Sequence, residues 1–163
     1  MSETPPPVLD RSFVQEYARL DAGVPWNRQT RLYVDGVLVE WVPGLAIALS
    51  LDAQGRPVAD EFLLLHCDND WNSVGVIVVT SVDEAKRVAE HRYPGSGGLW
   101  LDAGYDTSHV AQHFEDAYGS LRCSFCRRSP YEFRRSVQGR GAVICDDCLG
   151  RLAAELAQEA EDA

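Results

Sequence analysis

The amino-acid sequence predicts an α+β protein, built mainly from an antiparallel sheet with flanking helices and followed by a small metal-binding module. Three observations predict it. Apolar and polar residues alternate over 32–41 and 45–51, as in strands with a covered face, and apolar runs follow over 62–65 and 74–79. Two later segments, 82–91 and 108–118, have helical spacing. Four of the five cysteines form two Cys-x-x-Cys pairs near the C-terminus.

Composition narrows the class of protein. The 163 residues are 45% hydrophobic and carry a formal charge of −10, which excludes collagen-like and wholly disordered chains and opposes nonspecific binding to nucleic acid or anionic membranes. No apolar run approaches the roughly 20 residues of a membrane span, and the N-terminus lacks the pattern of a secretion signal. We therefore expect a cytoplasmic protein with no membrane contact, in which thiols stay reduced and serve metal binding or catalysis.

The charge is distributed unevenly. Residues 1–120 hold 8 basic and 18 acidic side chains, whereas residues 121–163 hold 7 of each. The segment 121–151 contains seven arginines and three acidic residues. This predicts a flexible leader over 1–10, an acidic α+β domain over 11–120, and a cysteine-rich and arginine-rich module over 121–163.

The first elements are predicted from spacing. Three consecutive prolines indicate the leader. Phe13, Tyr17 and Leu20 then recur at spacings of four and three, which predicts a short amphipathic helix over 11–20. The pair Asp35-Gly36 between two alternating runs predicts a tight hairpin.

The alternation continues over 45–51, breaks at 53–57 and gives way to an apolar run over 62–65, which predicts a second hairpin. The β-branched residues of 74–79 predict a well-buried strand. Ser81 and Glu84 fit a capping box at the start of a helix over 82–91, which Pro94 and nearby glycines end. A last helix of the domain is expected over 108–118, ending at Gly119.

The two cysteine pairs, Cys123 with Cys126 and Cys145 with Cys148, are separated by 18 residues. A two-residue gap lets a tight turn aim two sulfurs at one point, and two such pairs complete the tetrahedron that zinc prefers. Because no ligand position stays open, the pattern favours one structural Zn²⁺ ion over a catalytic one. Iron–sulfur ligation and a disulfide pair are the alternatives.

The segment between the pairs also has a pattern. Apolar residues flank Gly139-Arg140-Gly141 and predict a hairpin; they are Tyr131, Phe133, Val137 and residues 142–144. The second pair should open a helix with carboxylates in its first turn and an apolar stripe along one side, formed by Leu149, Leu152, Ala153 and Leu156. A unit of this size should be folded largely by its metal.

The string CSFCRRSPYEFRRSVQGRGAVICDDC resembles the C4 zinc-binding domain at the N-terminus of ClpX, the unfolding subunit of the Clp protease. The likeness covers residues 122 to about 157, needs no gap, and extends beyond the cysteines to Ser129, Glu132, Arg134, Gly139 and the run 144–146. It implies a treble-clef zinc finger that dimerises through an apolar face and recognises unfolded substrates, adaptors or other components of a Clp-type protease.

The chain also departs from that family. A nucleotide-binding P-loop needs a Gly-Lys-Ser/Thr ending, and the single lysine, Lys86, stands in another context. Arg127 occupies a position that is usually small in the family, and Ser136 one that is commonly apolar. These two changes bear on the dimer surface and on partner choice.

Other candidate sites in the acidic domain are weaker. His109 and His113 have metal-binding spacing but lack the glutamate of a metalloprotease. Asp68-Asn69-Asp70 starts like a calcium loop without its later glycine and glutamate. Cys67 beside His66 is more readily a buried thiol than a nucleophile. The glycines of 95–98 follow a helix, whereas a phosphate-binding glycine loop follows a strand and precedes a helix.

The preferred hypothesis is a non-enzymatic zinc protein that pairs with itself or with a protein partner. The alternatives are a nucleic-acid binder that uses the arginine-rich module, and an enzyme that would depend on His66, Cys67, His109 and His113.

Overall fold

The computed structural model of the protein describes residues 3–28, 31–52, 55–130 and 132–161. The chain divides into two compact units, Met1–Ala111 and Gln112–Ala163, called here the body unit and the finger unit. The division falls within the helix α2 (Thr107–Tyr118), before the point at which the sequence changes from acidic to arginine-rich. No helix formed by the described residues combines the length and the apolar character that a bilayer crossing requires.

The body unit is built on a six-stranded antiparallel sheet. Its strands are β1 (Val8–Leu9), β2 (Ser12–Arg19), β5 (Gly44–Leu51), β6 (Pro57–Cys67), β7 (Ser73–Val79) and β8 (Leu101–Asp102), and a separate hairpin comprises β3 (Leu32–Val34) and β4 (Val37–Val39). The sheet order is β1-β2-β5-β6-β7, with β8 also on β2. Because β5 pairs with β2 from Ser12 to Arg19, β1 and β8 share the other edge of β2.

Both faces of the central strands are covered. Helix α1 (Val82–Arg92) packs Ala85 and Ala89 against one face, where Leu45 and Ile47 of β5 are buried. The opposite face buries Ala46 and Ala48 of the same strand with residues of β1, β2 and β6, together with Trp71. Alternate residues of β5 thus fill two cores, since successive strand side chains point to opposite faces.

The two predicted hairpins are present. Strands β3 and β4 pair across Asp35 and Gly36, whose φ angles of 49° and 79° are the left-handed values that such a tight turn requires. Strands β5 and β6 form the second hairpin. Ala53 and Gln54, which the sequence places in its turn, lie outside the described residues.

The prediction of a helix over 11–20 is wrong, because these residues form strand β2. A bulge between Val14 and Glu16 adds one residue to the strand and shifts the alternation. Buried residues therefore occur in two groups, 12–14 and 17–18, so that the buried Phe13 and Tyr17 lie four positions apart. In a strand covered on both faces, that spacing imitates the period of a helix.

Two further expectations need correction. The leader is not wholly outside the fold, because Pro5 is buried, its carbonyl accepts a hydrogen bond from Tyr105 Oη at 2.7 Å, and β1 follows it. Strand β7 is not well buried, because it lies at the sheet edge with Val76 and Val78 exposed. β-branched composition shows that a segment is extended but does not distinguish an edge strand from a central one.

The start of α1 agrees with the capping prediction. Ser81 has extended backbone and its Oγ accepts the Glu84 amide at 3.1 Å. The Glu84 carboxylate accepts the amide of Thr80 at 2.6 Å, one residue before the position that a capping box uses. Both side chains therefore accept hydrogen bonds from backbone amides that would otherwise be unpaired at the N-terminus of the helix.

The finger unit contains most of α2 (Thr107–Tyr118), then the hairpin of β9 (Ser136–Gly139) and β10 (Ala142–Cys145), and finally α3 (Asp146–Glu161). The hairpin and the helix were both expected, as was the end of α2 at Gly119. Tyr131, counted among the apolar positions before the hairpin, lies outside the described residues. Phe133 and Ile144 pack against the cysteines. The unit thus has a cysteine turn, a hairpin and a helix in treble-clef order.

Candidate metal centre

The first cysteine pair lies on a tight turn after α2. The amide of Arg127 donates to the carbonyl of Cys123 at 2.9 Å, and the amide of Cys123 donates to the carbonyl of Arg128 at 3.0 Å. Arg127 adopts a left-handed φ of 61°, which closes this turn. The backbone thereby presents both sulfurs of the pair to the same side.

The second pair spans the junction between a strand and a helix. Cys145 ends β10 and Cys148 lies in the first turn of α3. The backbone joins this junction to the first pair, because the Ser124 amide donates to the Val143 carbonyl at 2.7 Å and the Val143 amide donates to Ser124 Oγ at 3.0 Å. The hairpin therefore carries the second pair back to the first.

The four sulfur atoms lie within 4.8 Å of one another, and Cys126 Sγ is 3.7 Å from Cys145 Sγ. A tetrahedron with zinc–sulfur bonds of about 2.3 Å has sulfur–sulfur edges of about 3.8 Å. The cluster therefore fits one zinc ion held by Cys123, Cys126, Cys145 and Cys148. Bound zinc would tie the turn, the strand and the helix together and leave no ligand position for a substrate.

Donors from the protein surround these sulfurs. The Cys145 amide points at Cys123 Sγ at 3.4 Å. Arg128 reaches one sulfur of each pair, with Nε 3.3 Å from Cys126 Sγ and Nη2 3.9 Å from Cys145 Sγ. Arg151 Nη2 lies 3.8 Å from Cys148 Sγ. Such donors stabilise the thiolate form, which is the form that binds metal.

The same contacts set the thiol pKa values before metal binds. Backbone donors, first among them the Cys126 amide, lower the pKa of Cys123 to about 6. The Arg128 side chain is the main cause that lowers the pKa of Cys126. Burial and the neighbouring sulfurs raise the pKa of Cys148 to about 12. The first pair is therefore the one prepared to ionise, and metal binding must displace protons from the cluster.

Two arginines also balance the charge of the centre. Four thiolates and one zinc dication carry a net charge of −2, and Arg128 and Arg151 supply two positive charges in contact with three of the sulfurs. Arg128 is itself held by Asp147, whose carboxylate is 2.7 Å from Nη1. Sequence spacing located the ligands and missed these two arginines, although each lies within three residues of a cysteine.

The other candidate residues do not assemble a comparable cluster. Among the residues that the structure describes, the four cysteines are the one group of three or more potential ligands brought together. His109 instead contacts Asp106, with Nδ1 2.9 Å from Oδ1, beside the start of α2. Asp68 accepts the amides of Asp70 and Asn72, each at 2.9 Å, and closes its own turn.

Cys67 and His66 are both buried in β6 and face different cores. Cys67 packs in the cluster that contains Trp71, and burial raises the pKa of its thiol to about 12, which opposes a nucleophilic role. His66 lies beside Tyr93, with ring centroids 5.9 Å apart. Neither residue belongs to the metal centre.

Residues 121–158 match the family model of the ClpX C4-type zinc finger. The matched segment contains all four cysteines, both strands of the hairpin and most of α3. No solved structure matches the chain. Residues 121–158 are thus a zinc-binding C4 domain of ClpX type, as the sequence predicted.

Proposed function

We propose that this protein is a non-enzymatic protein-interaction factor, in which the zinc-folded finger pairs with a second copy or binds a protein partner. The observation that carries the proposal is a set of large apolar side chains left exposed on a small unit: Phe125, Val137, Leu149 and Leu156, at 55, 55, 43 and 66% exposure. Large apolar side chains exposed on so small a unit favour an interaction surface.

The family resemblance supports the same proposal. Since ClpX-type fingers are interaction modules, the exposed side chains have a role that the metal centre alone does not give them. The resemblance suggests unfolded substrates, adaptors or other components of a Clp-type protease as partners. The chain offers no P-loop lysine, so any energy-dependent step would belong to the partner. A reducing compartment such as the cytoplasm would keep the four thiols available to zinc.

The experiment compares two substitutions on α3 in the zinc-loaded full chain. Leu149→Glu places a charge on the apolar side of the helix, and Ala154→Glu places the same charge at another exposed position of that helix. Solution mass and capture of ClpX-type protease components or an unfolded model protein are measured for both. We expect Leu149→Glu alone to reduce self-association or capture, with zinc content unchanged. A monomeric native protein that captures neither probe would overturn the proposal.

A nucleic-acid binder is the second candidate, because part of the arginine-rich sequence faces solvent. Arg122, Arg128 and Arg151 make contacts inside the finger unit, whereas Arg127, Arg134, Arg135 and Arg140 are exposed. Contacts to phosphates would give an affinity that falls steeply with salt. A gel shift at low salt that disappears with rising salt and requires Arg134 and Arg135 would support this candidate. Absence of any shift at low salt would remove it.

A further inference from the structure

Strand β7 forms one edge of the body sheet. It pairs with β6 on one side, from Phe62 opposite Val79 to Cys67 opposite Ser73. On the other side, no described residue forms a backbone ladder with it. An edge of this kind presents a row of amide and carbonyl groups that another extended chain can pair with.

The sequence of this edge lacks the usual protection against pairing. Natural edge strands carry lysine, proline or inward-pointing charges that discourage a further strand. The segment Ser73–Val79 contains no charged residue and no proline, and four of its seven residues are valine. Val76 is 39% exposed and Val78 is 72% exposed, so apolar side chains line this edge where it faces solvent.

The accessible part of the edge can be located. Near the start of β7, the Leu32 side chain from β3 fills the space where a side chain at Gly75 would stand. Just after the strand, the Thr80 amide is taken by the Glu84 carboxylate at 2.6 Å. The stretch from Val76 to Val79 lies between these two contacts, and it is the part of the edge that a docking segment would use.

The sequence on either side of β7 is acidic. Residues 57–85 contain six acidic side chains and no lysine or arginine. The flanking Arg56 and Lys86 are paired with Asp52 at 2.8 Å and with Glu16 at 2.7 Å, and Arg87 is exposed. Four of these acids are exposed: Asp60, Glu61, Asp70 and Asp83. A second copy of the same acidic edge would be repelled, whereas a basic segment would be attracted and oriented.

We propose that β7 is a second interaction surface, which accepts an extended basic segment of a partner protein as an added β-strand. Backbone pairing to β7 would supply affinity, as in other cases of strand addition. Apolar side chains of the segment would pack beside Val76 and Val78, and lysines or arginines would face the surrounding carboxylates. This surface is distinct from the finger and does not depend on the function proposed for it.

The test uses the zinc-loaded full chain and a fluorescent peptide of about ten alternating lysine and valine residues, the length of a long strand. The same peptide with glutamate in place of lysine is the charge control. We expect saturable binding of the lysine peptide that weakens with salt, and no binding of the glutamate peptide. Equal binding of both peptides, or binding of neither, would overturn the proposal.

Two lysine substitutions separate edge docking from general attraction to an acidic protein. Val78→Lys introduces a charge on β7, and Val37→Lys introduces the same charge on β4 at a valine that is 69% exposed. We expect Val78→Lys to weaken binding about tenfold, as edge lysines oppose strand addition, and Val37→Lys to leave it nearly unchanged. Equal weakening by the two variants would show that the attraction is nonspecific and would contradict the proposal.

Hydrogen exchange on the unsubstituted protein gives a reading independent of any variant. Added peptide should slow the exchange of amides in β7 and leave those in the central strand β5 unchanged. Unchanged β7 amides at saturating peptide would contradict strand addition. A dimer whose formation protects β7 in the absence of peptide would show that a second copy occupies the edge, and would also overturn the proposal.

Discussion

Arg128 is the residue that links the two halves of the metal centre. Its guanidinium contacts a sulfur from each cysteine pair, while Asp147 holds it from the outside at 2.7 Å. The thiolate and the carboxylate also raise its own pKa above the ordinary range. A fixed positive charge at this position offsets the excess negative charge that four thiolates leave on the zinc centre.

Replacing Arg128 should weaken the hold on zinc without removing a ligand. For Arg128→Ala we expect zinc affinity to fall about tenfold, the lower end of the effect seen when outer contacts of a metal site are removed. Transfer of zinc to a chelating dye measures this directly. Arg140→Ala, an exposed arginine of the hairpin turn, is the control. Equal zinc transfer from the two variants would contradict the assigned role.

His66 is a second residue whose environment sets a measurable property. Its side chain is fully buried, and neither ring nitrogen has a hydrogen-bond partner among the residues that the structure describes. Arg92, the last residue of α1, and Tyr93, which follows it, are the charged and titratable groups that face it. Burial first, and the positive charge of Arg92 second, lower its pKa to about 3.

The stability of the body unit should therefore fall in mild acid. An unfolded histidine has a pKa of about 6.5, so between about pH 6.5 and pH 3 the unfolded state binds the additional proton. The folded state is then favoured less as pH falls, by about 1.4 kcal/mol per pH unit. All four tryptophans precede residue 112, so urea unfolding followed by tryptophan fluorescence reports the body unit.

Two histidine substitutions check the source of this pH dependence. His66→Leu should reduce the loss of stability between pH 6.5 and pH 5, because the variant has no proton to bind there on unfolding. His91→Leu, at an exposed position of α1, should retain the loss. If both variants lost stability with falling pH as the native protein does, another group would be responsible.

At the scale of elements, the sequence correctly predicted the features that a few adjacent residues specify. The Asp35-Gly36 turn, the cap at Ser81 and the opening of α3 by the second cysteine pair are confirmed, because a few adjacent residues determine each of them. The segment that forms β2 was wrongly predicted to be a helix. The bulge after Val14 and the burial of both faces depend on neighbouring strands in the sheet. Spacing along one segment does not contain that information.

The cap of α1 gives a prediction at this scale. Ser81→Ala removes the acceptor of the Glu84 amide and should lower the free energy of unfolding of the body unit by about 1 kcal/mol. Ser81→Asp, which retains an acceptor at the same position, should restore most of it. Urea unfolding followed by tryptophan fluorescence measures both variants. A Ser81→Ala variant as stable as the native protein would show that the cap is not needed.

At the scale of the whole molecule, the two units are stabilised by different means. Among the described residues of the body unit, apolar clusters are buried on both faces of its sheet. In the finger unit, the buried cluster consists of Cys123, Cys145 and Cys148, packed with Cys126, Phe133 and Ile144. A unit whose core consists largely of metal ligands should depend on its metal for folding.

Cys145→Ala should consequently release zinc and unfold the finger unit while the body unit stays folded. Zinc content and circular dichroism report the finger, and the urea transition of the tryptophans reports the body. Cys67→Ala is the matched control, since this cysteine is buried in the body unit and should leave zinc content unchanged. A body transition that disappears in Cys145→Ala would show that the two units fold together.

The sequence by itself determined the metal centre, because four ligands in two short turns specify zinc through local spacing and sulfur chemistry. It also determined the division of charge, the three hairpins and the ClpX-type resemblance. Only the tertiary structure decided that residues 12–19 form a strand, that β7 lies at an edge, and that Arg128 spans the two cysteine pairs. These features depend on contacts between residues distant in the chain, so no local pattern records them.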